Sequence, residues 1–208
     1  FNNDINYNQL IILKKLSFFG DEFNKDIDFK SLVNLEELNF SATSIYDKNI
    51  NLKELPKLKK LTLSKVLVNR LFFENNFMFG ENLREFEGKI PSDIKLNFNY
   101  IKNIEILKIN SNNFNNDFIF NTPDMKPIMK NLKELNIMCD NLNKDIIIHN
   151  YTNLHTFVFN SHSFNSKIDL KNLKNLKHID LMLNSFDNDL NLTNFKNLKH
   201  IDLMLNNF

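Results

Sequence analysis

The residues best equipped for chemistry lie in a duplicated stretch. NLKHIDLMLN stands at 175–184 and again, letter for letter, at 197–206, so the chain reads His178-Ile179-Asp180 and then His200-Ile201-Asp202. Two imidazoles and two carboxylates on neighbouring strands form a donor set that a divalent transition metal accepts. A His–Asp pair also supplies the base and orienting acid of a hydrolytic relay, but no serine or cysteine nucleophile stands in register with this one. Such pairs are more often solvated neighbours, so no catalytic and no metal-ligating residue is expected here. The single cysteine, Cys139, has no Cys-x-x-Cys partner and is expected to be a small, semi-buried residue. It cannot close an internal disulfide, which points to the reducing cytosol, or to a secreted or surface location if a leader was removed.

The bulk numbers narrow the partners. Lys+Arg 26 against Asp+Glu 25 gives a formal net charge of +1, so no global field draws nucleic acid or an anionic membrane to the chain. No apolar run approaches the ~18 residues that cross a bilayer, and membrane insertion is not expected. Triplets of the glycosylation type occur at Asn39, Asn150 and Asn191, but in so Asn-rich a chain they arise by chance. No glycine-rich phosphate loop and no Cys/His metal spacing is present, so no cofactor is expected.

The elements that must position these residues show themselves as a period. Aligning the chain on the duplicated decapeptide gives unit starts at Leu13, Leu35, Leu58, Leu83, Ile104, Leu132, Leu154, Leu176 and Leu198. Three and five residues after eight of the nine starts stand further apolar side chains, as in Leu38 and Phe40, Leu107 and Ile109, or Phe157 and Phe159. That alternation predicts a strand with one buried face. A bulky residue follows ten positions after the start, as at Phe23, Phe114, Phe164, Phe186 and Phe208, with Ile45, Val68 and Leu142 as variants. A second short alternating piece closes the unit: DIDF at 26–29, NINL at 49–52, DFIF at 117–120, DIII at 145–148, KIDL at 167–170 and DLNL at 189–192. One such unit cannot bury its own apolar stripe, so equivalent side chains must stack from copy to copy.

The skeleton L-x-x-L-x-L-x-x-N-x-F resembles the leucine-rich repeat, in its short class of ~22 residues, and the resemblance covers essentially the whole chain. It implies an α/β solenoid: a curved right-handed superhelix with a parallel concave β-sheet and, on the convex face, short strands or turns with few helices. Residues 1–208 then form a single array of about nine units. The family's asparagine after the strand, which bonds to main chain across the turn, is matched at Asn112, Asn184 and Asn206, while Asp21, Thr43, Val66, Asp140 and His162 take that slot elsewhere. The resemblance also implies a non-catalytic scaffold that binds another protein through its concave face. The alternative is the recognition arm of a larger effector, adhesin or surface protein. Both ends fall at the same point within a unit without a polar cap, so the chain is expected to be a piece of a longer protein.

On the strands, the third, fifth and seventh positions, and most of the eighth, are expected to face solvent. The fifth column reads Ser17, Asn39, Thr62, Glu87, Lys108, Asn136, Val158, Asp180, Asp202; the seventh reads Phe19, Ser41, Ser64, Lys89, Asn110, Met138, Asn160, Met182, Met204. From these columns and the duplicated unit come the candidate partner-binding residues Lys108, Asn110, Asn136, Met138, Val158, Asn160, His178, Asp180, Met182, His200, Asp202 and Met204. The second position is often basic, at Lys14, Lys59, Arg84, Lys133, Lys177 and Lys199. Glu36 and Glu105 interrupt that column and Glu37, Glu85 and Glu134 flank it, so it predicts a solvated rim and not a nucleic-acid stripe. The period breaks around 69–98 and at NTPDMKPIMK, 121–130, where Pro123 and Pro127 predict a longer edge loop.

Overall fold

The computed structural model describes residues 7–20, 28–42, 45–46, 51–64, 67–68, 81–90, 92, 98–114, 117–142, 144–162, 164, 166–182, 185 and 190–206. Phe23, Phe186, Phe208, Asn184, Asp21, Thr43 and Val66, named above, lie outside the described residues, as do 69–80, 91 and 93–97 of the first break. Among the described residues thirteen strands follow in chain order: β1 (Lys15–Gly20), β2 (Glu37–Ala42), β3 (Ile45–Tyr46), β4 (Lys60–Ser64), β5 (Leu67–Val68), β6 (Glu85–Lys89), β7 (Ile106–Asn112), β8 (Glu134–Asp140), β9 (Ile146–His149), β10 (Thr156–Asn160), β11 (Ile168–Lys171), β12 (His178–Asp180) and β13 (His200–Asp202).

Nine of them form one sheet in the order β1-β2-β4-β6-β7-β8-β10-β12-β13. Each neighbouring pair is parallel and in register, as the repeat requires. The return pieces make two two-stranded layers behind it, β3–β5 and β9–β11. The protein is a parallel-sheet β-solenoid whose only described helical elements are short 3-10 turns, as at Leu52–Glu54 and Phe98–Ile101. Period-two sequence in the returns leaves no helical face to bury, which accounts for the near absence of helix.

Register turns the alternation into columns of core. Leu16, Leu38, Leu61, Phe86, Leu107, Leu135, Phe157, Ile179 and Ile201 stand directly beside one another across the sheet. Leu154 and Leu176 are fully buried and Leu198 packs partly buried against the same core, so the unit starts stack as well. Eight of the starts are set by a tight turn in which main-chain bonds run three residues back, as from Leu35 N to Leu32 O (2.9 Å) and Leu176 N to Leu173 O (3.1 Å). At the sixth position of the fourth unit the bulky residue is missing: the ring of Phe86 fills the space beside Gly88, where a Cβ would sit 2.9 Å from Phe86 Cζ and 3.2 Å from Leu63 Cβ.

The eighth position is a correction. Ile90, Ser111, Cys139 and Ser161 of the interior units are buried, because the two-residue alternation continues from the fourth and sixth positions, whereas Leu205 of the last unit is exposed. Polar members of this inward column find partners across units: Ser111 Oγ donates to Ile90 O (2.7 Å), and Ser161 Oγ accepts from Leu142 N (3.2 Å).

Asparagine carries a second system of bonds, in a place the repeat pattern did not single out. Immediately before the unit start, Asn34, Asn82, Asn103, Asn153, Asn175 and Asn197 each donate through Nδ2 to a main-chain carbonyl of the preceding unit, at 2.6–3.0 Å. Their abundance is therefore partly structural. In the expected slot after the strand, Asn206 does donate to Leu181 O (2.7 Å) and Leu203 O (2.9 Å), whereas Asn112 is exposed. Four further asparagines, Asn113, Asn141, Asn150 and Asn172, hold left-handed turns (φ 54–63°), a conformation this side chain tolerates better than most. They pair between units, Asn141 with Asn113 and Asn172 with Asn150.

Candidate binding surface

Because the fourth, sixth and eighth positions of the interior units, such as Leu107, Ile109 and Ser111, are consumed by the core, the third, fifth and seventh are what the open face of the nine-stranded sheet presents. Phe19 is 63% exposed and Met138 44% exposed, while Asn110 is exposed and Asn136, Val158 and Met182 are half-buried. Lys108 stands on the same face with its Nζ 2.9 Å from Glu134 Oε1 on the next strand. The amide nitrogen of Asn160 is satisfied by facing Met182 O and Phe159 O, at 2.8 and 2.9 Å, so this residue ties two units together as well as lining the surface.

The duplicated unit is brought together as the repeat demands, but its polar groups serve the turn. His178 lies opposite His200 and Asp180 opposite Asp202. The two imidazoles stack face to face, with centroids 4.6 Å apart and planes 3° from parallel. Each carboxylate folds forward to accept a main-chain N–H two residues on, Asp180 from Met182 (3.0 Å) and Asp202 from Met204 (2.9 Å). Short polar side chains favour this local capping geometry. Among the described residues no set of three or more His, Cys, Asp or Glu converges in a way that would hold a metal ion. Met204 and Leu205 are exposed at 61% and 70% beside the last strand.

Cys139 is more deeply enclosed than its sequence context implied. It is 1% exposed, and burial, with the neighbouring Asp140 carboxylate, pushes its thiol up to about 12. A thiol enclosed and held protonated in this way is a poor nucleophile at neutral pH.

Lys14, Lys59 and Lys133 of the basic column along the rim are paired, as are Lys15 and Lys60 one position further on. Glu36 takes Lys14 at 3.4 Å and Lys59 at 2.7 Å; Lys15 meets Glu37 at 2.7 Å, Lys60 meets Glu85 at 2.8 Å and Lys133 meets Glu105 at 2.5 Å. Hydrogen bonds from Lys59 and then Lys14 hold the Glu36 carboxyl below its ordinary range. Alternating signs on adjacent strands thus neutralise one another across the register.

One charged cluster escaped the sequence reading. On the returns, Asp169 of β11 and His149 of β9 are 90% covered, with His149 Nε2 3.2 Å from Asp169 Oδ1, close enough for attraction but off-line for a hydrogen bond. Lys167 and Lys171 reach Asp169 Oδ2 at 3.0 and 3.3 Å. Burial opposes ionisation of Asp169, but the groups around it, Lys167 foremost, together outweigh that and hold its carboxyl below the usual value. The available signal was the alternation itself: period two on β9 and β11 sends Ile147 and His149, and Asp169 and Lys171, to one side.

Against known proteins, no family model matches the chain and no curated protein matches it significantly.

Proposed function

We propose that this solenoid is a leucine-rich-repeat array and that it binds another protein, without catalysis, through the open face of its nine-stranded sheet. In this reading the sheet is the concave side of a curved right-handed superhelix and the short returns form its convex side. The observation that carries the proposal is the division of labour along each strand. Alternate positions are locked into the core, and the intervening ones change from Phe to Ser to Lys to Asn to Met without cost to the fold. Apolar side chains such as Phe19 and Met138 stand there uncovered, and large side chains exposed on an open face are the raw material of an interface core. The groups with chemical potential nearby are engaged in structure: the imidazoles stack, the Asp180 and Asp202 carboxylates cap turns, and the one thiol is enclosed.

The test is selective loss of a partner. The array and a variant carrying Asn110→Glu and Met138→Glu are used as bait, with a rim substitution, Lys177→Glu, as the control. A partner retained by the control and lost by the sheet-face variant supports the reading; a partner held equally by all three refutes it.

A further inference from the structure

The second break in the period, 121–130, builds a loop of defined shape on the return side. Asn121 and Pro127 form an antiparallel bridge, Thr122 N donates to Lys126 O (2.9 Å) and Met125 N to Thr122 O (2.9 Å). At its tip Met125 has φ 60°, in the left-handed region where a long side chain costs about 1–2 kcal/mol and where glycine or asparagine is expected. The strain is held in place by two asparagine amides, since Asn150 and Asn121 both donate to Met125 O, at 2.9 and 3.3 Å. The Met125 side chain is nevertheless 46% exposed, so its retention is not explained by burial.

What the loop overhangs is a groove of about 580 Å³ between the 117–120 return and the start of β9. On one side β9 pairs by main chain with the next return, β11. On the side facing the preceding return it does not: the Asn121 side chain substitutes for a strand, accepting from His149 N (3.1 Å) and donating to His149 O (2.9 Å), and no main-chain bond joins 117–120 to β9. Ile146 N donates to Lys167 O on the β11 side, so the N–H and C=O of Ile147 point the other way, toward the groove. Its apolar lining includes Ile119, 48% exposed, with Met125 and Ile147; its described charges are Asp117, Asp145 and Lys144. Lys144 Nζ is 3.7 Å from Asp117, and one oxygen of Asp145 takes the Lys167 N–H (3.0 Å), which leaves one carboxylate in excess at this end of the groove.

We propose that this groove docks an extended segment of another protein carrying a basic side chain two residues from an apolar one. The open main-chain groups of Ile147 select an extended backbone. Asp117 and Asp145 stand two residues before Ile119 and Ile147, so successive same-side residues of the visiting strand meet first the carboxylates and then the apolar patch. Met125 supplies the far wall, and its strain is the cost of placing an apolar arm where glycine would leave none. The site lies on the returns and stands or falls separately from the open sheet face.

The experiment measures binding of the labelled peptide acetyl-Thr-Arg-Thr-Leu-Thr-Arg-Thr amide to the full chain, beside its counterpart with both arginines replaced by glutamate. The arginine peptide should bind, and the glutamate peptide should bind at least tenfold more weakly, a difference of about 1.4 kcal/mol. Met125→Gly should weaken the arginine peptide by a similar factor while leaving thermal stability unchanged or raised, a combination that a purely structural methionine would not give. Ile119→Ser checks the same wall from the other side, and Met138→Glu on the sheet face should leave peptide binding untouched. Absence of binding by the arginine peptide, equal binding of the two peptides, or wild-type affinity in both groove variants would overturn the proposal.

Discussion

On the sheet side, β7 and β8 stay paired along seven residues, Ile106–Asn112 against Glu134–Asp140. On the return side, the same two units share no main-chain bond between 117–120 and Ile146–His149, and side chains join them instead, foremost the Asn121 amide, which bonds both main-chain groups of His149. Two faces of one chain are thus held by different means. Main-chain pairing is indifferent to side-chain identity, so the sheet keeps its register while its outward columns vary freely. The return side depends on particular side chains: Phe114 and Phe118 stack at 4.4 Å, Phe98 and Phe120 at 5.3 Å, and the Tyr151 hydroxyl donates to Phe120 O. A face built that way can accept an inserted loop only where some side chain replaces the missing main-chain partner, which is what Asn121 does.

The largest contrast to test lies along the sheet, between its interior and its end. Phe157 is fully buried in the aligned column and Ile201, two strands further, is 39% exposed. Phe157→Ala should cost about 3–5 kcal/mol. Ile201→Ala should cost about 1 kcal/mol or less, because little of its burial is there to lose. Denaturant midpoints decide it, and equal losses would mean that the stack is not the source of stability. Next in size is Gly88→Leu, where a side chain must displace the Phe86 ring from the column; overpacking of this kind costs about 1–3 kcal/mol. If Gly88→Leu instead stabilised the chain, the space beside Gly88 would be a void and Phe86 would not fill it.

A smaller effect separates main-chain from side-chain bonding. Asn153→Ala removes one rung of the amide column, the 3.0 Å bond to Lys130 O, and should cost about 0.5–1.5 kcal/mol, while Asn136→Ala on the open face, with only half-buried surroundings, should cost less. Matching losses at the two sites would show that the column contributes nothing beyond composition.

The core columns were readable because hydrophobic alternation is imposed by the pleat and repeated nine times, so each copy corroborates the next. The same rule, carried one step further, would have placed Ser111 and Ser161 inside; small polar residues at the end of a strand disguised it. Asn34 and Asn175 were not legible as a bonding column because their partners are carbonyls, which leave no trace in side-chain identity. The Asp169 cluster and the Met125 wall were hidden for a related reason. Each depends on which residue of one return stands beside which residue of the next, and returns of unequal length conceal that register from a linear reading.

The return side also offers the subtlest prediction, in pH. Asp169 is covered, but its two lysines remain about 62–63% exposed, so solvent screens much of what they contribute and the effect should be the smallest of the four. Its sign is fixed. The folded carboxyl titrates below its ordinary value of about 3.9, so as pH falls the unfolded chain takes up the proton first. The stability Asp169 contributes is therefore complete above roughly pH 5 and drains away as pH falls through the folded value. Asp169→Asn should lower the denaturant midpoint at neutral pH, and the gap from the unaltered chain should close toward the acid end. A gap that stayed constant with pH would assign the loss to packing around His149 and take the charge out of the account.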